Sequence, residues 1–205
     1  MRGTAAVVLA AGAGSRMGRV KPLLPWAGGT LVSHACGVCE AAGCDSVAVV
    51  VGHAADAVAA AVPKGCRVVR NEAWDAGPGT SVAAGVRASQ DAERIVVVLC
   101  DAPRVTSENV ASVIRAVGSD VYAAAAVAGQ AVGPPACFAR PLFPRLLKLR
   151  PERGAGSLLC GLGERFAGLA MPAAFDDLDT PADYEAAVDR SSAAKSNGVG
   201  SATNA

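Results

Sequence analysis

Short, branched apolar runs alternate with longer amphipathic segments along most of this chain. Residues 5–10 (AAVVLA), 46–51 (SVAVVV) and 94–99 (RIVVVL) are too short for globular helices, and they lack the every-second-residue polar break of a half-exposed strand. They predict strands buried on both faces of a parallel sheet. Residues 66–70 and 121–127 predict two more strands. Between them, residues 30–42, 54–62, 80–89 and 107–117 predict helices, with Gly43 and Pro63 as stops and Glu108 in a first turn. This alternation predicts an α/β fold: a Rossmann-like three-layer α/β/α arrangement around a mostly parallel central sheet.

Beyond residue 127 the order loosens. Pro134-Pro135 precedes a short apolar run at 136–139; residues 142–149 and 156–162 read as helices, and 166–171 as a late strand. Thr180-Pro181-Ala182-Asp183 is a helix start, with Thr as N-cap, Pro at the first position and an acid at the third. That helix is predicted to run to about Arg190. Residues 191–205 are small, polar and without period, and predict a disordered tail. No internal repeat appears, so 1–190 is expected to be one domain.

Composition narrows the function. A chain of 205 residues suits one sizeable core, and a net charge of +1 with no basic stripe argues against nucleic acid as a partner. Hydrophobic residues make up 52%, yet no uninterrupted apolar stretch reaches the ~20 residues that span a membrane. A cleaved leader would remove the loop described next, so a cytoplasmic location and seven reduced cysteines are expected.

The first strand opens into Ala11, Gly12, Ala13, Gly14 and Ser15, followed by Arg16, Gly18 and Lys21. Backbone without bulky side chains approaches a ligand closely and points N–H groups at anions. With two cations beside it, this is a seat for a polyphosphate. The dinucleotide fingerprint does not fit, because Met17 stands where its third glycine belongs, and no Gly-Lys-Ser/Thr triphosphate loop occurs.

What remains, L-A-A-G-x-G-x-R-M-G-x-x-K, resembles the MobA-like NTP transferase superfamily, whose members attach a nucleoside monophosphate to a phosphorylated acceptor. Within it the pattern is most similar to the molybdenum cofactor cytidylyltransferase branch. The resemblance implies that Leu9, Ala10, Ala11, Gly12, Gly14 and Lys21 bind nucleotide, with Lys21 and Arg16 acting in catalysis. Ala11, where guanosine-using relatives have Gly, implies CTP. Asp101, at the end of the strongest strand, faces the crevice where α/β proteins bind ligands. The family holds its catalytic Mg²⁺ there, in Gly-Asp-Met-Pro; here the run is Cys100-Asp101-Ala102-Pro103. Asn71, Gly77 and Ser81 match a nucleotide-contacting segment, N-x-x-W-x-x-G-x-x-x-S, and the N–H groups of residues 80–83, opening a helix, are expected to be free for an anion or a base edge. Asp176-Asp177-Leu178-Asp179-Thr180-Pro181 resembles the family's D-x-D-T-P. It implies Asp179 as a second metal carboxylate, with Asp177 close behind; acids before a helix start also interact favourably with its dipole.

Other features read as structural. Cys36-x-x-Cys39 falls mid-helix with no second ligand pair, which fits buried small hydrophobes better than redox or zinc chemistry. His53 reads as a loop histidine without a catalytic task. The acceptor half departs from the family: Gly133-Pro134-Pro135 replaces Gly-His-Pro or Gly-Asn-Pro, and R-G-A-G-S-L-L at 153–159 lacks the Asp and Arg of G-D-x-G-A-R-x-L-L. The resemblance therefore implies transfer of CMP to a phosphorylated small molecule such as molybdopterin, with a molybdoenzyme or its chaperone as a protein partner. A nicotinamide-dependent reductase of the same fold, like nicotine blue oxidoreductase, and a non-catalytic nucleotide-binding module are the alternatives.

Overall fold

A computed structural model describes residues 3–198 of the chain. In chain order its elements are β1 (Thr4–Ala10), a small hairpin of β2 (Pro25–Trp26) and β3 (Gly29–Thr30), α1 (Leu31–Ala41), β4 (Ser46–Val51), α2 (Ala55–Ala60), β5 (Arg67–Arg70), α3 (Pro78–Ala88), β6 (Arg94–Leu99), α4 (Ser107–Ala116), β7 (Ala123–Ala128), β8 (Ala131–Ala139), α5 (Phe143–Leu146), β9 (Phe166–Ala170) and α6 (Pro181–Gly198). Among the described residues the main sheet has seven strands in the order β5-β4-β1-β6-β8-β7-β9. All its pairings are parallel except those of β8, which runs antiparallel to both β6 and β7.

β1 lies at the centre of the parallel half and is buried on both faces. Ala6, Val8 and Ala10 pack with α1, α2 and α4 on one side. Ala5 and Val7 face Val82 and Val86 of α3 and Leu146 of α5 on the other. The sequence thus builds the Rossmann-like α/β/α sandwich it predicts. Gly85 lets α3 lie close on β1, since a Cβ there would stand 2.2 Å from a Val7 methyl. Cys36 and Cys39 are both fully buried in the layer under α1, and burial pushes their thiols far above the ordinary range. No helix of the described residues is long and apolar enough to cross a membrane.

The late part of the chain differs from expectation. β8 starts at Ala131 and runs through Pro134-Pro135, which the sequence reading placed outside a strand. The prolines fit because β6 pairs only with residues 136–139, while the β7 register shifts between Ala125 and Ala126, opposite them. Residues 142–149 form one α-helical turn with tighter turns around it, and 155–161 are a 3-10 helix. Helix α6 continues past Arg190 to Gly198, so residues 191–198, expected in a tail, extend the helix; Ala and Lys propagate it well. Residues 199–205 of that expected tail lie outside the described residues. A third small cluster joins Met17, Leu24 and Leu31 to Leu178 and Ala187, and the Tyr184 hydroxyl donates to the Pro25 carbonyl at 2.8 Å. Together these contacts hold α6 against the segment that follows β1.

Candidate nucleotide site

The loop after β1 is tied at both ends and open between. The Ala11 carbonyl accepts from the His53 N–H at 2.9 Å, and the Gly14 carbonyl accepts from the Met17 N–H at 2.9 Å, while the Met17 side chain is buried under α6. Between these anchors, the N–H groups of Gly12, Ala13, Gly14, Ser15 and Arg16 donate to no protein acceptor among the described residues. Such a run of free N–H groups is an anion-binding concavity. Gly14 sits at φ 59°, and a Cβ on it would meet the Lys21 stem at 2.9 Å. The glycine therefore lets Lys21 cross behind the loop.

Lys21 is only 9% exposed. Its Nζ donates to Asp179 Oδ1 at 2.7 Å and to Asp101 Oδ2 at 3.2 Å. Arg16 Nη2 lies 2.8 Å from the other Asp179 oxygen. The Leu178 N–H donates to the Asp101 carbonyl at 2.9 Å, locking the 176–179 segment to the end of β6. Residues far apart in sequence thus form one charge cluster. Burial works against the Lys21 ammonium, but its bonds and attraction to Asp179 and Asp101 outweigh that and raise its pKa. The hydrogen bond from Lys21 holds Asp179 below the usual carboxylate range, with Arg16 adding to it.

Asp177 completes the cluster. Burial on its inner side, then the charges of Asp101 and Asp179, push its carboxyl up to about 6 against the pull of Lys21. A carboxyl raised above its unfolded value of ~4 contributes stability that is present below pH ~4 and lost as pH rises through the folded value. In metal-free buffer, Asp177→Asn is therefore expected to stabilise the protein by about 1 kcal/mol at neutral pH, after allowing for solvent screening of its exposed face, and by nothing below pH ~4. Urea unfolding at the two pH values checks this; an equal gain at both would refute it.

The opposite wall comes from the segment between β5 and α3. Trp74, Asp75, Gly77, Pro78 and Ser81 line, with residues 9–14, Lys21 and Asp101, a cavity of about 370 Å³. The Trp74 ring meets His53 edge-on at 5.4 Å between centroids, and it lies over Gly52, where a Cβ would come within 2.5 Å of it. Asn71 is buried behind this wall. Its amide donates to Thr80 Oγ1 at 2.9 Å and Ser81 Oγ at 3.0 Å, and its carbonyl accepts from the Ala73 N–H. The structure thus places Asn71 behind the residues that face the cavity.

The opening of α3 also differs from expectation. Pro78 has no N–H, the Gly79 N–H donates to the Pro151 carbonyl at 2.8 Å, and the Thr80 N–H to the Gly77 carbonyl at 3.2 Å. The Thr80 N–H, expected to be free for a ligand, is thus engaged. Gly77 (φ 132°) and Gly79 press against the 150–153 backbone, with a Gly77 Cβ falling 2.4 Å from the Pro151 carbonyl oxygen. Gly77→Ala is expected to cost about 2–3 kcal/mol in denaturant unfolding through positive φ and this clash. A loss under ~0.5 kcal/mol, the size of an ordinary surface substitution, would refute it.

Residues 6–165 match the MobA-like NTP transferase domain. The chain belongs to that family. Its fold matches a nucleotidyl transferase from Methanothermobacter thermautotroptrophicus with a TM-score of 0.81, at 26% identity over 93% of this chain and 98% of that one. A Mycobacterium tuberculosis protein solved in complex with manganese aligns at a TM-score of 0.73 and 30% identity, over 90% of this chain and 97% of that one. Nicotine blue oxidoreductase of Paenarthrobacter nicotinovorans is 44% identical over 99 residues, which are 47% of this chain and 48% of that protein, so the match spans about half of each.

For a transferase of this family, the donor set can be tested against a divalent cation. Among the described residues no group of three or more His, Cys, Asp or Glu side chains could hold a metal ion by itself. Asp101 and Asp179 nevertheless offer two hard carboxylates beside the loop, and Mg²⁺ commonly takes one or two carboxylates plus substrate phosphates and water. Three carboxylates facing two cations leave net negative charge, which adds to the effect of burial in raising Asp177. The residues therefore fit a cation that arrives with a polyphosphate and shares the carboxylates with Lys21.

Of the residues singled out in the sequence, Leu9, Ala10, Ala11, Gly12, Gly14, Lys21, Gly77, Ser81 and Asp101 line the cavity, and Arg16 and Asp179 stand at its edge through the ion pairs. Trp74 and Pro22 line it without having been singled out. The tryptophan of the N-x-x-W pattern was the available signal.

Proposed function

We propose that the chain is a Mg²⁺-dependent nucleotidyltransferase that moves CMP from CTP onto a phosphorylated small-molecule acceptor such as molybdopterin, releasing pyrophosphate. The observation that carries this reading is the anchored loop 11–16, its N–H groups unpartnered and its far side set against the Lys21–Asp101–Asp179 cluster. In this reading the loop N–H groups and Arg16 bind the β- and γ-phosphates and hold the charge that grows on the departing pyrophosphate. Lys21 neutralises the phosphoryl group under attack, keeps Asp179 ionised and holds Asp101 in place by a hydrogen bond. When bound, the cation, held by Asp101 and Asp179, supplies further charge neutralisation on the triphosphate. Trp74 offers the base a flat apolar wall. The buried Ala11 methyl narrows the space on the strand side, which favours the smaller pyrimidine. The acceptor brings its own nucleophilic oxygen, so no protein nucleophile is needed. The cytoplasm is the setting this chemistry takes, and all seven cysteines are free.

A second reading, NAD(P)H-dependent reduction, is favoured by the 44% identity with nicotine blue oxidoreductase. Purified protein is to be incubated with Mg²⁺ and each acceptor candidate, with CTP, GTP or NADPH in turn. The transferase reading expects pyrophosphate release with CTP exceeding that with GTP, and no change in NADPH absorbance. Consumption of NADPH without pyrophosphate release would replace it.

A further inference from the structure

A second cavity of about 570 Å³ opens beside the first, and the two share Leu9, Pro78 and Leu99. Leu9 and Leu99 stand opposite each other on β1 and β6 and form the boundary between the cavities. We propose that this second cavity binds a flat, largely apolar ring system carrying a single acidic group, which Arg153 holds. That the ring is the nucleotide acceptor rests on the transferase reading; that the cavity binds it does not.

The floor of this cavity is apolar: Leu9, Val97 and Leu99 from the sheet, Val82 from α3 and Val132 from β8. Pro78 and Pro134 close it from the sides. Both prolines are rigid and lack an N–H donor, so neither backbone nitrogen can read a hydroxyl. The polar side chains of the lining, Gln130, Glu152, Arg153 and Ser157, are all exposed and so stand at its rim. Ser157 is turned away, its hydroxyl donating to the Gly154 carbonyl at 2.8 Å. The Glu152 carboxylate lies 3.5 Å from Arg150 Nε. The exposed Arg153 guanidinium has no side-chain hydrogen bond or ion pair among the described residues, which makes it an uncommitted cation of the lining.

A ligand rich in hydroxyls would lose its water hydrogen bonds on this floor and find few replacements. A planar ring has no such loss and gains by leaving water. One unpaired guanidinium matches one carboxylate or phosphate group. Gly133 and Pro134 of β8 and the 153–157 segment face each other across this cavity and bring mostly small or apolar side chains to it. Gly156 lets the 153–157 wall lie close on β8: a Cβ there would sit 3.1 Å from the Val132 carbonyl oxygen.

The test compares two phosphomonoesters on the full chain, 1-naphthyl phosphate and glucose 1-phosphate, by titration calorimetry with and without CTP. Naphthyl phosphate is expected to bind at least about tenfold more tightly than the sugar phosphate. Arg153→Ala and Val132→Asp should each weaken it about tenfold, Val132→Leu should not, and all three variants should bind CTP like the parent. Equal or tighter binding of glucose 1-phosphate overturns the proposal. So does an unchanged naphthyl phosphate affinity in Arg153→Ala or Val132→Asp, or complete displacement of the probe by CTP, which would seat it in the first cavity. If the probe binds as expected but no acceptor candidate elicits pyrophosphate release from CTP, the transferase reading falls and this site stands.

Discussion

Asp101→Asn is expected to cut Mg²⁺-dependent turnover of CTP by about 10²–10³-fold while the protein still folds. The amide keeps the shape of the carboxylate and can still accept from Lys21, which also retains Asp179 at 2.7 Å. What disappears is a negative charge at the end of β6, at the edge of the cavity that the loop after β1 forms. Nucleotide affinity without metal should hold steady or improve, because one carboxylate fewer faces the triphosphate. The Asp177 carboxyl should also fall from about 6, since Asp101 is one of the charges that raise it. Asp179→Asn should cost less turnover, because that residue is 35% exposed in its side chain and stands just before α6, where a carboxylate also favours the helix dipole. Turnover measured with and without chelator decides the matter. Normal activity in Asp101→Asn, or wild-type activity indifferent to chelators, would sink the metal-dependent transfer and bring the reductase forward.

Lys21→Met is expected to weaken triphosphate binding by about tenfold or more and to destabilise the free protein by about 1–2 kcal/mol. Loss of an exposed lysine would spare the fold, but Lys21 is nearly buried and stands between two carboxylates. Without it, Asp177 and Asp179 lose the charge that lowers them both, and their pKa values rise. Groups raised above their unfolded values lose their stabilising contribution as pH increases, so the variant's deficit should grow from pH ~4 to neutral. In the parent, the depressed Asp179 acts in the opposite sense, its contribution present at neutral pH and lost as acid protonates it. Methionine keeps the stem that packs on Gly14, so the deficit reports charge rather than shape. A pH-independent difference in unfolding free energy would show that the ammonium is not holding the carboxylates together.

Local patterns reveal most of the framework. The strands of the parallel half announce themselves because both faces are buried, leaving continuous apolar runs such as Val47 to Val51. The loop from Ala11 to Lys21 is equally legible, since small residues and cations are required together. Pairing across long sequence distance is not legible. Nothing near Lys21 says that it meets Asp179, 158 positions away. Nor does the D-D-L-D-T-P segment say that Leu178 bonds the Asp101 carbonyl. Asn71 shows the same limit: the motif marks it, but nothing near it says that its amide bonds Thr80 and Ser81. β8 escapes because two prolines break its local signal, and only the bulge opposite them makes the strand acceptable.

That strand has a consequence for synthesis. β7 is made before β8, yet in the finished sheet β8 lies between β7 and β6. Residues 3–99 already contain β1, β4, β5 and β6, a parallel block that can assemble as it emerges. Its outer margin on β6, RIVVVL, then stays bare until residue 139 has been added. An apolar margin with unpaired N–H and C=O groups is adhesive toward other growing chains. At ordinary elongation rates the exposure lasts seconds. Chains stalled or truncated between residues 99 and 139 would keep that margin open permanently, and are the species of this protein most in need of a holding chaperone.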